Sequence, residues 1–353
     1  AKRKLDLSVP ITYDTVYGAS WSPDGKHIAF GCSDSAIRAI DAKTGKIVFY
    51  QGAHDDWALD TVWSGKGEQI VSVGRDMSTK LYEFKTQRFV DNLTSITPGA
   101  LKGGTHAIAV HPTRDEVLVG GSDGAPQIYR LTRIAKRVIG DNSNLVRKFS
   151  SMPGRIFDVA YSPDGKRIAA GSSLDGRGFL HIYNSDFDPK VSDDLKKAFA
   201  ERVASQKPAQ KKMIAEYQSQ GVKLQSVISV IGGVYATAFS PDGRTVAAAG
   251  GDGAIRFYGA SDGSLKNAYI PVPLPAERMQ DVIGISVEPS SIKLGRKFDY
   301  TQTLVTGWLA SGDKVDLTRE AKIDVSAGVA KATHGQVRPL KDGKGEVKIS
   351  HKG

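Results

Sequence analysis

One unit recurs along about three quarters of the chain, and it limits the possible fold more than any other feature. Its clearest copy is WALDTVWSGKGEQIVSVGRDMSTKLYEF, from Trp57 to Phe84. Alternating apolar residues predict three short strands, and clusters of Gly, Asp and Ser predict tight turns between them. Further copies begin at Tyr17, His106, Phe157 and Tyr235. The sequence therefore predicts an all-β protein with five visible repeats, each an antiparallel meander.

The repeats resemble WD40 repeats, each of which forms one four-stranded blade of a β-propeller. In the most typical blades of this family, hydrogen bonds join four side chains into a network. The second repeat has matching residue types at His54, Ser72, Asp76 and Tyr82. The family usually has Trp where Tyr82 stands, and the other repeats lack that Trp too. Such propellers most often close with seven blades, so either a lone strand near the start of the sequence closes a small ring or further blades precede Ala1, and we expect further blades. The segment KLDLSVPITYD, within residues 1–16, predicts the outer strand of one of them.

A segment at about residues 186–224 interrupts the fourth repeat. Ser192 is a candidate N-cap, and two apolar stripes at helical spacing predict a helical hairpin at the outer edge of the propeller. The stripes consist of Leu195, Phe199 and Val203, and of Met213, Ile214 and Tyr217. The insert either covers a sheet edge or serves as a docking arm.

The pattern changes after Pro275, so we expect a propeller at 1–275 and a second domain at 282–353. Short alternating strands with turns near Gly295, Gly312, Gly335 and Gly343 predict a small β-sandwich. The segment resembles the bacterial immunoglobulin-like domain, group 2, on the residues LVTG from Leu304, SGDKVDLTRE, GQV and GEV. A propeller followed by such a sandwich is similar to large exported proteins of planctomycete-like bacteria, some of which carry c-type haem domains. The resemblance implies a periplasmic or extracellular location.

Composition and spacing exclude several kinds of chemistry. No apolar run reaches the roughly 18 to 20 residues of a membrane span. The net charge is +10, but Lys and Arg are scattered among Asp and Glu, so we predict no nucleic-acid partner. The single cysteine, Cys32, excludes a disulfide within the segment. The seven histidines show no metal-ligand spacing, and we predict neither a metal nor a cofactor.

One short motif is typical of enzymes. Residues Gly120 to Gly124, GGSDG, match the nucleophile elbow G-x-S-x-G, which works only on a sharp turn from a strand to a helix. Here the motif falls in a turn between two predicted strands. We therefore predict no catalytic residue and no enzymatic activity.

The residues that remain as functional candidates lie at two places in each repeat. In propellers that resemble WD40 proteins, the start of the first strand and the residue before the turn acid lie on the face that most often binds partners. Aromatic and Arg side chains occupy these places here, and such residues often anchor protein interfaces. The candidate partner-binding face consists of Tyr17, Trp57, Arg75, His106, Arg155, Phe157 and Tyr235. Alternatively, these rings only pack the entrance of the central channel.

These observations predict a non-catalytic scaffold that binds other proteins through the propeller face. One form of this role is that of a subunit of a larger complex. The immunoglobulin-like domain would then act as a spacer. The alternative is the front end of a larger exported enzyme or c-type-haem electron-transfer protein, with a haem protein as partner and chemistry outside these residues.

Overall fold

The computed structural model describes residues 8–10, 15–94, 103–138, 141–271, 282–310 and 312–351. The chain divides into two compact units, Ala1–Val272 and Pro273–Gly353. This division falls close to the boundary that the sequence predicts.

The first unit contains five antiparallel blades of four strands, each in the order of the chain. Blade 1 comprises β1 (Val16–Trp21), β2 (His27–Cys32), β3 (Ala36–Asp41) and β4 (Ile47–Gly52). Blade 2 comprises β5 (Ala58–Trp63), β6 (Gln69–Gly74), β7 (Thr79–Glu83) and β8 (Phe89–Asn92). Blade 3 comprises β9 (Thr105–Val110), β10 (Glu116–Gly121), β11 (Gln127–Arg130) and β12 (Leu145–Lys148).

The fourth blade differs from the others by an insert before its last strand. It comprises β13 (Arg155–Tyr161), β14 (Arg167–Leu174), β15 (Arg177–Asn184) and β16 (Lys223–Ile231), and the insert holds α1 (Asp193–Ala200) and α2 (Pro208–Ser219). Blade 5 comprises β17 (Val234–Phe239), β18 (Thr245–Gly250), β19 (Ile255–Gly259) and β20 (Leu265–Tyr269). The five predicted repeats are therefore five complete blades.

The Ser-Pro-Asp-Gly segments form the turns between first and second strands. In blade 1 the Ser22 hydroxyl donates to Asp24 at 2.6 Å and accepts from the His27 N–H at 2.9 Å. Gly25 takes a φ of 69°, in the left-handed region that favours glycine. The same contact joins Ser162 to Asp164 and Ser240 to Asp242. These Asp side chains thus bind their own turn, as the sequence predicts.

Apolar side chains fill the space between neighbouring blades. The first strands of consecutive blades pack together, from β1 against β5 to β13 against β17. Between blades 1 and 2, Ile37 and Phe49 pack against Trp63 and Tyr82. Between blades 4 and 5, Ala169, Leu180 and Ile182 pack against Val234 and Val246. The core of this unit is therefore a series of sheet-on-sheet interfaces.

Blade 5 has an uncovered face. Ala169 and Ile182, which are paired in blade 4 and face blade 5, are 0% exposed. The corresponding pair in blade 5, Ala247 and Phe257, is partly exposed to solvent. No sixth blade covers this face among the described residues. The expected seven-bladed ring stays a prediction, and the lone strand predicted within residues 1–16 falls largely outside the described residues.

The insert contains the predicted helices. The Ser192 hydroxyl accepts a hydrogen bond from the Leu195 N–H at 3.2 Å, so the predicted N-cap is confirmed. Leu195 and Phe199 are buried, as their spacing indicates. Val203 is 37% exposed in a 3-10 turn, Val203–Ser205, because α1 has already ended at Ala200. Its predicted place in the first apolar stripe is wrong.

The insert folds over the outer strand of the neighbouring blade 3. Helix α2 packs against β12, where Arg147 is almost fully buried. The Arg147 guanidinium lies 4.1 Å from the ring of Phe187 and 4.4 Å from the ring of Tyr217. It donates to the carbonyl oxygens of Gln220 and Asp188 at 2.8 and 3.1 Å. These contacts correspond to the edge-covering alternative, and a docking role stays a prediction.

The second unit contains only short strands and one 3-10 turn, Ser326–Gly328, within the described residues. One sheet comprises β21 (Val282–Glu288), β23 (Leu304–Leu309) and β24 (Lys314–Asp316). A second comprises β22 (Thr301–Gln302), β27 (Gln336–Pro339) and β26 (Ala330–Thr333), and a third pairs β25 (Lys322–Val325) with β28 (Val347–Ser350). The strands are present as predicted, while the bacterial immunoglobulin-like assignment stays a prediction.

Candidate protein-binding face

All seven residues of the candidate face lie at the same end of the blades. First strands begin at this end, and second strands turn into third strands there. A cavity of about 1020 Å³ opens between the first four blades at this end. Six of the seven residues line it, namely Tyr17, Trp57, Arg75, His106, Arg155 and Phe157. The seventh, Tyr235, contacts Phe157 edge to face at a ring distance of 5.0 Å.

One wall of the cavity is a stack of two rings and a guanidinium. Tyr17 and Trp57 stack with their ring centroids 5.5 Å apart, and each ring is 40% exposed. The Arg75 guanidinium lies 4.5 Å from the centroid of the Trp57 ring, in a cation–π contact. Its Nε lies 3.6 Å from a carboxylate oxygen of Asp56. The wall thus offers both a flat apolar surface and a cation.

The opposite wall is built around His106. Its Nε2 lies 3.0 Å from the hydroxyl oxygen of Ser122, and its ring lies 6.4 Å from that of Phe157. Burial, together with the charges of Arg155 and Arg75, lowers the pKa of His106 to about 4. At neutral pH the imidazole is therefore uncharged. Arg155 is exposed and forms no ion pair with any of the described residues.

Asp60 lies in the floor of the cavity, and the sequence analysis did not select it. One carboxylate oxygen accepts from the Thr61 N–H at 2.8 Å, and the other accepts from the Ile108 N–H of the next blade at 3.4 Å. Burial raises the pKa of Asp60 to about 7, and the nearby Asp158 contributes to the rise. Any Cβ at Gly18 would collide with the Asp60 carboxylate. In the sequence, the one sign that could have identified Asp60 was the presence of an acidic residue within an apolar strand.

Three of the four residues proposed for the blade 2 network are joined by hydrogen bonds. His54 Nδ1 lies 2.9 Å from Asp76, and His54 Nε2 lies 2.8 Å from the hydroxyl of buried Ser72. Ser78, which the sequence analysis missed, donates to Asp76 at 2.6 Å. Tyr82 instead donates to the carbonyl oxygen of Ala53, in the loop before β5, at 3.4 Å.

The Asp76 carboxylate is stabilised by this network. Burial alone would raise its pKa. Hydrogen bonds from His54 and Ser78 and the N–H of Asp55 outweigh that effect and lower the pKa well below its usual range. The turn acids of blades 1, 3 and 5 each pair with a side chain of their own third strand. Such pairs are Asp34 with Arg38, Asp123 with Gln127 and Asp252 with Arg256.

The G-x-S-x-G match does not form a nucleophile elbow. Ser122 lies in the turn between β10 and β11, and both flanking elements are strands. An elbow requires a helix after the serine.

The described ranges lack two further kinds of site. There, no group of three or more His, Cys, Asp and Glu side chains is arranged to hold a metal ion. Nor does any helix of those ranges have the length and apolar character needed to cross a membrane.

The repeated blades and their hydrogen-bonded turn acids define a β-propeller repeat protein. Family comparison makes this class more specific. Residues 143–180 and 225–259 match the WD domain, G-beta repeat, and residues 8–60 match the WD40 domain of anaphase-promoting complex subunit 4. The chain therefore contains WD40 repeats.

Similar proteins occur among eukaryotes. The chain is 26% identical over 192 residues to eukaryotic translation initiation factor 3 subunit I of Danio rerio, covering 53% of this chain and 56% of that protein. The same subunit of Botryotinia fuckeliana is 24% identical over 194 residues, with 52% and 54% covered. The U3 small nucleolar RNA-associated protein 4 homolog of Homo sapiens is 25% identical over 222 residues, with 63% and 26% covered. The chain thus spans about half the length of the initiation-factor relatives it matches.

These relatives correct one prediction and bear on three others. They are a subunit of eukaryotic translation initiation factor 3 and a human protein associated with U3 small nucleolar RNA. The expectation of an exported bacterial protein is therefore wrong. Their names are not those of enzymes, which agrees with the predicted non-catalytic role. The haem-protein partner has no support among them. The predicted exclusion of nucleic acid has no support either.

Proposed function

We propose that this chain is a non-catalytic scaffold that binds a partner protein in the cavity between its first four blades, as a subunit of a larger complex. The observation that carries the proposal is the convergence of aromatic and arginine side chains from separate blades on one cavity. These are the residue types that dominate binding energy at protein interfaces. Four rings at the cavity, those of Tyr17, Trp57, Phe157 and Tyr235, are between 37% and 48% exposed.

The comparisons support the proposal at the level of the class. WD40 repeats serve as scaffolds for protein interaction, and the initiation-factor relatives carry the word subunit in their names. We propose in addition that the second unit acts as a spacer. The alternative, that the rings only pack the channel entrance, predicts that their removal changes stability and leaves binding intact.

Capture of partners from an extract of the source organism tests the proposal. The immobilised chain is compared with the triple variant Trp57→Ala, Arg75→Ala, Arg155→Ala, and proteins are identified by mass spectrometry. We expect the triple variant to lose specific partners. The matched control is Arg244→Ala, an exposed arginine in the Ser-Pro-Asp-Gly-Arg turn at the other end of blade 5. Equal capture by the triple variant and the wild type would show that the proposed face is wrong.

A further inference from the structure

We propose that the occupant of this cavity is an acidic peptide segment, which places a carboxylate between Arg75 and Arg155 and apolar side chains against the exposed rings. This inference rests on the proposed function and adds the chemistry of the partner.

The charges around the cavity favour an anion. Two guanidiniums, those of Arg75 and Arg155, line it, and both lie close enough to His106 to lower its pKa. Asp56 lies 3.6 Å from Arg75, so one carboxylate partly balances one cation. Arg155 has no counter-ion among the described residues and stays available for a ligand. Arginine binds carboxylates through two parallel hydrogen bonds, which gives geometric specificity.

The neutral groups of the cavity preserve this positive character. His106 adds no charge at neutral pH because its pKa is about 4. The Asp60 carboxyl, with a pKa of about 7, is partly protonated under the same conditions. Ser122 has a hydroxyl beside His106 that can turn toward a bound oxygen. An anionic group in the cavity therefore meets less repulsion than two fully charged carboxylates would cause.

The shape and walls favour a peptide. The cavity volume of about 1020 Å³ is larger than the space that one carboxylate fills. Aromatic rings line the cavity together with the two guanidiniums. Stacked Tyr17 and Trp57 offer one flat surface, and Phe157 with Tyr235 offers another. A nucleic-acid backbone needs several phosphate contacts in a row, whereas two cations and two carboxyl groups of the described residues line this cavity.

Binding of short labelled peptides tests the inference. The probes are a peptide in which two Glu residues flank Phe and Leu, its twin with Gln in place of Glu, and its twin with Lys. A single-stranded oligonucleotide of similar length is the fourth probe. Binding is measured by fluorescence anisotropy on the full chain and on Arg155→Gln, Trp57→Ala and the control Arg244→Gln. Circular dichroism establishes that each variant is folded.

We expect the Glu peptide to bind at least about tenfold more tightly than the Gln twin, with affinity that falls as salt rises. Arg155→Gln should reduce this preference about tenfold and leave the Gln twin unchanged, while Arg244→Gln changes neither. Equal binding of the Glu and Gln peptides, tighter binding of the Lys twin or the oligonucleotide, or no peptide binding at all overturns the acidic occupant.

The same measurements separate this inference from the proposed function. If Trp57→Ala weakens both peptides and Arg155→Gln weakens neither, the occupant is not acidic and the proposed face stands. If a peptide binds and no variant at the cavity changes its affinity, both the face and the occupant are wrong.

Discussion

At the scale of single residues, the buried carboxyl group of Asp60 makes the stability of the protein depend on pH. Its pKa is about 7 in the folded chain and near 3.8 when the chain is unfolded. Between these values the folded state holds a proton that the unfolded state has lost, so stability falls as pH rises. Asp158, whose burial raises its pKa to about 6, acts in the same direction.

The lowered pKa of His106 acts in the opposite direction below about pH 6.5, so the expectation concerns the difference between the two proteins. We expect the melting temperature of Asp60→Asn to rise relative to that of the wild type as the pH rises from 5 to 8. The slope for a single such group is at most about 1.4 kcal/mol per pH unit. Thermal unfolding at each pH, monitored by circular dichroism, measures this pH dependence. Asp175→Asn is the control, since Asp175 is exposed and has a φ of 50°, which Asn tolerates. The same pH slope in Asp60→Asn and the wild type would contradict the assignment.

A second residue-scale prediction compares two turn acids with different surroundings. Asp76 is buried and accepts hydrogen bonds from His54, Ser78 and the Asp55 N–H. Asp252 pairs with Arg256 in a half-exposed position. Asp76→Asn should lower the free energy of unfolding by roughly 2 to 4 kcal/mol, because it leaves buried polar groups poorly paired. Asp252→Asn should cost less than about 1 kcal/mol.

Denaturant unfolding in urea measures both variants under the same conditions. A cost for Asp252→Asn as large as that for Asp76→Asn would show that the blade 2 network adds no special stability. The difference between Asp76→Asn and the wild type should shrink only below about pH 3.8, because the lowered pKa of Asp76 keeps its carboxylate charged, and its contribution intact, above that pH.

At the scale of elements, one buried cation links the insert to the neighbouring blade 3. Arg147 joins the outer strand of blade 3 to the insert through two aromatic rings and two backbone carbonyl groups. Tyr217 also accepts a hydrogen bond from Arg130 at 2.6 Å. The helices themselves could be predicted from Ser192 and the spacing of Leu195 and Phe199. Arg147 could not, because its partners lie at least 40 residues away in the chain.

Arg147→Met should release the insert, because it removes the donors to the carbonyl groups of Gln220 and Asp188. We expect faster trypsin cleavage after Arg202, which lies exposed between the two helices. Mass spectrometry of the digestion products gives the rate. The control is Lys148→Met, at the exposed neighbouring position of the same strand. An unchanged cleavage rate in Arg147→Met would mean that apolar packing alone holds the insert.

At the scale of the whole molecule, local patterns predicted the repeats and contacts between blades determined the site. The five meanders follow from alternating apolar residues and Ser-Pro-Asp-Gly turns, both of which are local in sequence. Equivalent positions in successive repeats identified the seven residues at the cavity, because repeats place equivalent residues at the same end of each blade. Asp60 and Ser122 were missed, since their importance depends on Ile108 of the next blade and on His106 in the same blade.

The final prediction concerns the uncovered face of blade 5. Ala169 of blade 4 is 0% exposed because blade 5 packs on it, whereas Ala247, the equivalent residue of blade 5, is partly exposed. Ala169→Asp buries a charge without a partner and should cost about 3 kcal/mol or more. Ala247→Asp leaves its carboxylate in water and should change stability by less than about 1 kcal/mol. Urea unfolding of the two variants decides between these expectations. Equal destabilisation would mean that another sheet covers blade 5 in solution, because only a covered face makes an added charge so costly.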